Sequence, residues 1–198
     1  MKLRTRSVLL VVLIPIILIA ATNGYKLIHK KIEQKMYPLP QEYLSCIEKY
    51  SDEYSIPIDL ICAVINTESS FNPSAISHAK AYGMMQITEE TFNWLQYRMG
   101  IDGTLSKENL FDYETNIKFG TYFLSILYDE FQNYDTVLAA YNAGRGSVLN
   151  WLQDPAITEN GELINIPFEE TTEYIQKVNN ARAKYTELYF SDNTTELN

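Results

Sequence analysis

From Gln41 to Tyr189 apolar residues recur every three or four positions, and Pro, Gly or small polar clusters interrupt the pattern every ten to twenty residues. That period is helical. It predicts helices over about 41–54, 58–70, 88–99, 114–132, 134–142, 145–153 and 170–189. Runs of alternating β-branched residues are almost absent, so the pattern reads as an all-α domain. Asp59 and Thr88 stand where N-caps belong, and Glu89 and Glu90 follow Thr88 in a first turn that favours acids. The longest irregular stretch, Pro155 to Pro167, is a candidate wall or lid of a cleft.

The N-terminal end follows a different pattern. Residues 8–21, VLLVVLIPIILIAA, carry no charge. As a helix this run would rise about 21 Å, short of a hydrocarbon core of about 30 Å, but extension from Ser7 to Tyr25 nearly closes the gap. A single membrane anchor over about 7–25 is the favoured reading. A cleaved signal peptide is the lesser one, because no A-x-A site follows Ala21. Lysines flank the run on both sides, so charge counting leaves its orientation open. The organisation that follows is a short stub, anchor and basic juxtamembrane segment over 1–36, a catalytic domain over 37–190 and a polar tail over 191–198.

One position breaks the helical pattern. In the stretch V64-I-N-T-E-S-S-F-N-P-S74, residues Ile61, Val64 and Ile65 form an apolar stripe, and the next position on that stripe is Glu68. A carboxyl desolvated in such a place favours its neutral form, which is how a general acid is made. A buried Glu paired with a base, or one turned out to solvent, would fit the spacing too. Pro73 pushes Asn72 out of the helical region, which ends the helix about one turn beyond Glu68 and leaves the acid near an opening.

Two further clusters carry polar groups among small or apolar neighbours. In A81-Y-G-M-M-Q-I87, Gly83 permits a tight turn, and Gln86 is either a ligand for a sugar amide or a satisfied core amide. In A139-A-Y-N-A-G144, Tyr141 and Asn142 stand among small residues that would suit close approach to a substrate or to another helix. Gly144 takes the C′ position of its helix. Other chemistries lack parts. The chain has two histidines, His29 and His78, the first beside the membrane run, so neither a zinc site nor a Ser-His-Asp triad assembles. No phosphate-binding glycine loop occurs, and no cofactor or metal is expected.

Charge excludes one class of partner. From Met36 onward nine Lys and Arg face twenty-four Asp and Glu, a net of about −15, although the whole 198-residue chain is only −9. Nucleic acid is an unsuitable ligand for such a domain. Cys46 and Cys62 could pair outside the cell or act as two small buried hydrophobes, the favoured reading.

E68-S-S-F-N-P73, G83-M-M-Q86 and A140-Y-N-A-G144, in that order, resemble the motifs of the lytic transglycosylase family of the soluble (SLT) type. The likeness continues in L110-F-D-Y-E-T-N-I117 and I166-P-F-E-E-T-T-E-Y-I-Q-K-V178, and so covers roughly residues 41 to 185. It implies a lysozyme-like α-helical fold and a peptidoglycan glycan strand as partner. It also implies cleavage of the bond between N-acetylmuramic acid and N-acetylglucosamine, with a 1,6-anhydro-muramyl product. Glu68 would serve as the acid and then the base. Ser77 would contact substrate, Met85 and Gln86 would line the cleft, and Tyr141 would hold the acid and the sugar with Asn142 beside it. Glu170 and Tyr174 would face the cleft. Met84, Thr88, Arg145 and Tyr113 depart from the family's usual residues, and those positions affect loop geometry more than the acid.

The substrate implied lies outside the cytoplasmic membrane, so the expected placement is N-terminus in and domain out. Two other functions remain open at this level, a muramidase resembling goose-type lysozyme and a catalytically silent wall-binding scaffold. No secretion, conjugation or wall machinery is singled out as a partner.

Overall fold

The computed structural model describes residues 2–101, 103–159 and 161–191, with side chains described from residue 18 onward. The chain divides into two units, residues 1–37 and 38–198.

The first unit is one helix, α1 (Lys2–Met36). The expected anchor falls on it, but most of the apolar run lies where side chains are outside the described residues. Among the described residues no helix is long and apolar enough to cross a membrane. The 191–198 tail lies outside the described residues except for Ser191.

The second unit is helical, as the apolar period predicts. Its helices are α2 (Gln41–Tyr54), α3 (Ile58–Ser69), α4 (Glu89–Met99), α5 (Tyr113–Phe131), α6 (Tyr134–Ala143), α7 (Arg145–Trp151) and α8 (Glu169–Tyr185). Each lies within three residues of its expected bounds, except that α8 stops at Tyr185 and passes into a wide π-type turn over Thr186–Phe190. The spacing did not reveal a short 3₁₀ turn over Lys107–Phe111 or two very short hairpins. These are β1 (Ala81–Tyr82) with β2 (Ile87–Thr88), and β3 (Thr158–Glu159) with β4 (Glu162–Leu163). Strands of two residues contain no alternation to read. The second hairpin occupies the stretch expected to be irregular.

Two helix boundaries differ from expectation for physical reasons. Asp59 is not the cap of α3: Pro57 holds that position, and Asp59 lies inside the first turn. There it accepts from the Leu60 N–H at 2.8 Å, from Arg182 Nε of α8 at 3.2 Å and from Thr186 Oγ1 at 2.9 Å. At the other end, α3 stops before Asn72 and Pro73 can act, because Ser70 and Phe71 both take left-handed backbone, with φ of 52° and 64°. The Ser70 N–H still donates to Asn66 O at 3.0 Å and closes the last turn. Thr88, by contrast, caps α4 as expected, accepting from the Thr91 N–H at 3.2 Å.

The core sits where α3 packs on α8 and α5 packs on α2 and α6. Residues 60–65 of α3 are all fully buried, which leaves polar work to the two ends of the helix. Cys46 and Cys62 are both buried free thiols, filling space as small hydrophobes do. Burial pushes the Cys46 thiol up to about 11.

Candidate active site

Glu68 continues the stripe of Ile61, Val64 and Ile65, all three of them fully buried, and so emerges at the edge of the core. It is itself half-buried. Its Oε1 accepts a 2.7 Å hydrogen bond from the hydroxyl of Tyr174 on α8. Burial lifts the Glu68 carboxyl from 4.5 to about 7, against the opposing pull of that hydrogen bond. Nothing charged compensates the burial, because no ion pair reaches Glu68 among the described residues. A carboxyl of this kind is close to half protonated at neutral pH and can give or take a proton.

A tight turn packs against the acid's helix. Ser69 donates to Met84 O at 2.8 Å and ties the end of α3 to the loop between β1 and β2. In that loop Gly83 has φ of +74°, and a Cβ there would fall 2.2 Å from Leu110 O and 2.2 Å from Asn116 Nδ2. Only glycine fits. The fully buried Asn116 of α5 spans the loop, donating to Tyr82 O and Leu110 O at 2.9 Å each and accepting from the Met85 N–H at 2.7 Å. Met85 O in turn accepts from the Tyr141 hydroxyl at 2.7 Å. The charge of ionised Glu68 reaches both tyrosines, and burial first and that charge second push their hydroxyls well above the ordinary phenol range.

The structure distributes the other expected residues differently. The group bonded to Glu68 belongs to Tyr174, whereas the Tyr141 hydroxyl, expected to hold the acid, points to Met85 O. The Met85 side chain is fully buried and packs where a Cβ on Gly120 would fall 2.3 Å from its Sδ, so it presents no surface to a cleft. The Gln86 amide donates to Gly83 O at 2.8 Å and Ala75 O at 3.3 Å, which leaves its oxygen as the group available to a ligand. Ser77 Oγ accepts from the Ala81 N–H at 3.1 Å and so belongs to the turn leading into β1. Asn142 is exposed and accepts from Thr171 Oγ1 at 2.9 Å. Glu170 is exposed one turn before Tyr174 on the same face of α8.

Beside this cluster, Tyr141 and Asn142 form part of the wall of a groove of about 450 Å³ that also includes Trp94, Phe123 and Arg145. Arg145 is held there by a two-pronged pair with Glu130, at 2.6 and 2.7 Å. Two residues of the site, Ser69 and Asn116, were not singled out from the sequence. Asn116 had a readable signal, since it lies on the apolar stripe of α5 with Gly120, Leu124 and Leu127 just as Glu68 lies on that of α3.

Fold and site together define a helical domain built around one uncompensated, proton-holding carboxyl at a helix end. The family model described as the transglycosylase SLT domain matches residues 45–164, and the chain belongs to that family. The chain is 34% identical to membrane-bound lytic murein transglycosylase C of Edwardsiella ictaluri, over 74% of this chain and 47% of that protein. Its identity to the protein of the same name from Salmonella typhi is 31%, over 83% of this chain and 53% of that one. The chain thus spans about half the length of these curated relatives. The 70 kDa soluble lytic transglycosylase of Escherichia coli superposes with a TM-score of 0.69 at 33% identity, covering 78% of this chain and 25% of that one. A structure of the 70 kDa soluble lytic transglycosylase in complex with bulgecin A superposes equally well.

Proposed function

We propose that the chain is a membrane-anchored peptidoglycan lytic transglycosylase in which Glu68 alone carries acid and base chemistry. One observation carries this reading. The Glu68 carboxyl has been lifted to about 7 by burial, and among the described residues its side-chain bond is to an uncharged hydroxyl. Membership of the SLT family and the names of the relatives support the substrate class.

Neutral Glu68 gives its proton to the glycosidic oxygen between N-acetylmuramic acid and N-acetylglucosamine, and the C1–O bond breaks. The carbonyl oxygen of the muramyl acetamido group shares the positive charge that develops at C1. Glu68, now ionised and steadied by the Tyr174 O–H, takes the proton of the muramyl 6-hydroxyl while that oxygen bonds to C1. The acid is restored, the ring closes as a 1,6-anhydro sugar, and no water is consumed. Hydrolysis would need a second carboxylate to activate water. Among the described residues no carboxylate is among the influences on Glu68, which are burial and the Tyr174 hydroxyl, so hydrolysis would fall to the exposed Glu170. The Gln86 oxygen, Asn142 and Glu170 are the groups placed to meet the glycan, while Ser77 and Met85 act by shaping the loop.

We assign the membrane anchor to about residues 7–25 of α1, with residues 37–190 as the catalytic part outside the cytoplasmic membrane. The exposed Leu18 and Ile19, at 59% and 60%, extend its apolar run and support the assignment. Protease treatment of intact cells should remove the domain, and full protection would reverse the topology.

The deciding experiment digests purified peptidoglycan with the full chain and weighs the muropeptides. Anhydro products, one water lighter than hydrolysed ones, are expected. Hydrolysed products would make the protein a muramidase, and intact glycan would make it a wall-binding scaffold.

A further inference from the structure

The two tyrosines around Glu68 differ in polarity. A phenol has one proton to donate and lone pairs with which to accept. Tyr174 gives its proton to Glu68 Oε1 at 2.7 Å. Tyr141 gives its proton to Met85 O, also at 2.7 Å, and so has only lone pairs left for anything on the Glu68 side. What keeps the Met85 carbonyl in reach is Asn116, which accepts from the N–H of the same residue and anchors itself on Tyr82 O and Leu110 O. Gly83 packs against the Asn116 amide so closely that a Cβ there would displace it.

We propose that Asn116 is a positioning residue for the transglycosylase chemistry: through the Met85 backbone it keeps the Tyr141 proton turned away from Glu68, so that Tyr141 meets the acid and the glycan as a hydrogen-bond acceptor. The inference rests on the function proposed above. Its consequence is an asymmetric site. Tyr174 stabilises ionised Glu68, and the Tyr141 oxygen accepts from neutral Glu68 or from a substrate hydroxyl or amide N–H. An acid that must be neutral for the first step and ionised for the second is served by one donor and one acceptor better than by two donors.

Among the described residues the titratable groups that face Glu68 are Tyr174 from α8 and Tyr141 from α6. Glu170 on α8 is solvent-exposed, and Asp59 lies at the far end of α3, paired with Arg182. Titration of Glu68 therefore reads the two hydroxyls. The test follows the Glu68 carboxyl by NMR in the full chain, solubilised and labelled at glutamate, as pH is varied. Tyr174→Phe should raise its midpoint by about 1–2 units, the effect of losing a hydrogen bond to a charged group. Tyr141→Phe should leave the midpoint in place or lower it, and a rise matching that of Tyr174→Phe would overturn the proposal. Asn116→Ser should lower the midpoint by freeing Tyr141 to donate, and should do nothing further when combined with Tyr141→Phe. Equal shifts in both backgrounds would leave Asn116 a structural residue only. If Asn116→Ser fails to fold, a rise in Tyr141→Phe matching that of Tyr174→Phe still overturns the proposal. None of these readings requires turnover, so a wild-type protein that releases no anhydro product would defeat the proposed function without touching this result.

Discussion

The pairing of α3 with α8 holds a carboxylate at each end, and the two are treated in opposite ways. Asp59 stands at the start of α3 and Glu68 nine residues on, about 13 Å along the helix. Arg182 and Tyr174, eight residues apart on the antiparallel α8, face them in turn. Asp59 receives a guanidinium at 3.2 Å, a threonine hydroxyl at 2.9 Å and a backbone N–H at 2.8 Å. Among the described residues Glu68 receives one phenol. The first carboxylate is satisfied as an anion and ties two helices together. The second has been taken from water without a cation in exchange, and its proton affinity rises as a result. Burial alone does not mark a functional acid; burial without a compensating charge does.

The largest effect expected from this contrast is on turnover. Glu68→Gln removes the transferable proton while keeping size and polarity, and should lower glycan lysis about 100- to 10,000-fold, the usual worth of a general acid. Muropeptide release from purified wall measures it. Lysis that survived the change would leave Glu68 with no more catalytic weight than Asp59. The intact protein should work best near pH 7, where both forms of a group titrating at about 7 are populated.

The same substitution should act on stability in the opposite direction. The folded-state midpoint of Glu68 lies above its ordinary value, so the neutral form is the one the fold favours. That favourable contribution is complete below about pH 4.5 and is lost as pH rises through 7. Glu68→Gln removes the loss, and at pH 9 it should stabilise the fold by about 2–3 kcal/mol while leaving stability at pH 4 nearly unchanged. Thermal melts at the two pH values check this. At the other end, Arg182→Leu strands a part-buried Asp59 and should destabilise the fold by about 2 kcal/mol, without moving the midpoint of the pH–activity curve. A shifted midpoint would mean that the two ends are coupled.

Much of this contrast was visible before the structure. The stripe of Ile61, Val64, Ile65 and Glu68 announces a carboxyl that leaves a core, because helical period is a local property. Helix bounds were legible for the same reason. Partnership is not local. Nothing near Glu68 in the chain says that Tyr174, 106 residues away, supplies its hydrogen bond, or that Asp59 looks past its own helix start to Arg182 and Thr186. Tyr141 and Met85 illustrate the limit of motif reading. Both belong to the site, but one points its proton away from the acid and the other offers its backbone instead of its side chain. Asn116 could have been found by the rule that found Glu68, since a polar residue on an apolar stripe needs a partner or a purpose.

The smallest predicted effect is the sharpest test of the comparison, because the same chemical group can be deleted at both ends. Thr186 Oγ1 donates its single proton toward Asp59 Oδ2 at 2.9 Å, with the Arg182 carbonyl at 3.1 Å as a competing acceptor. Thr186→Val is close to isosteric and leaves the guanidinium and the Leu60 N–H on Asp59. The loss should be about 1 kcal/mol in a denaturant titration, with the pH–activity curve unmoved. Tyr174→Phe deletes one hydroxyl from Glu68, and there the curve itself should move to higher pH. A hydroxyl facing a carboxylate that already has its cation adds an increment of stability. The same hydroxyl facing a carboxyl that has none sets the pH at which the proton leaves. If the two substitutions moved the curve alike, the distinction between the two ends of the α3–α8 pair would be lost.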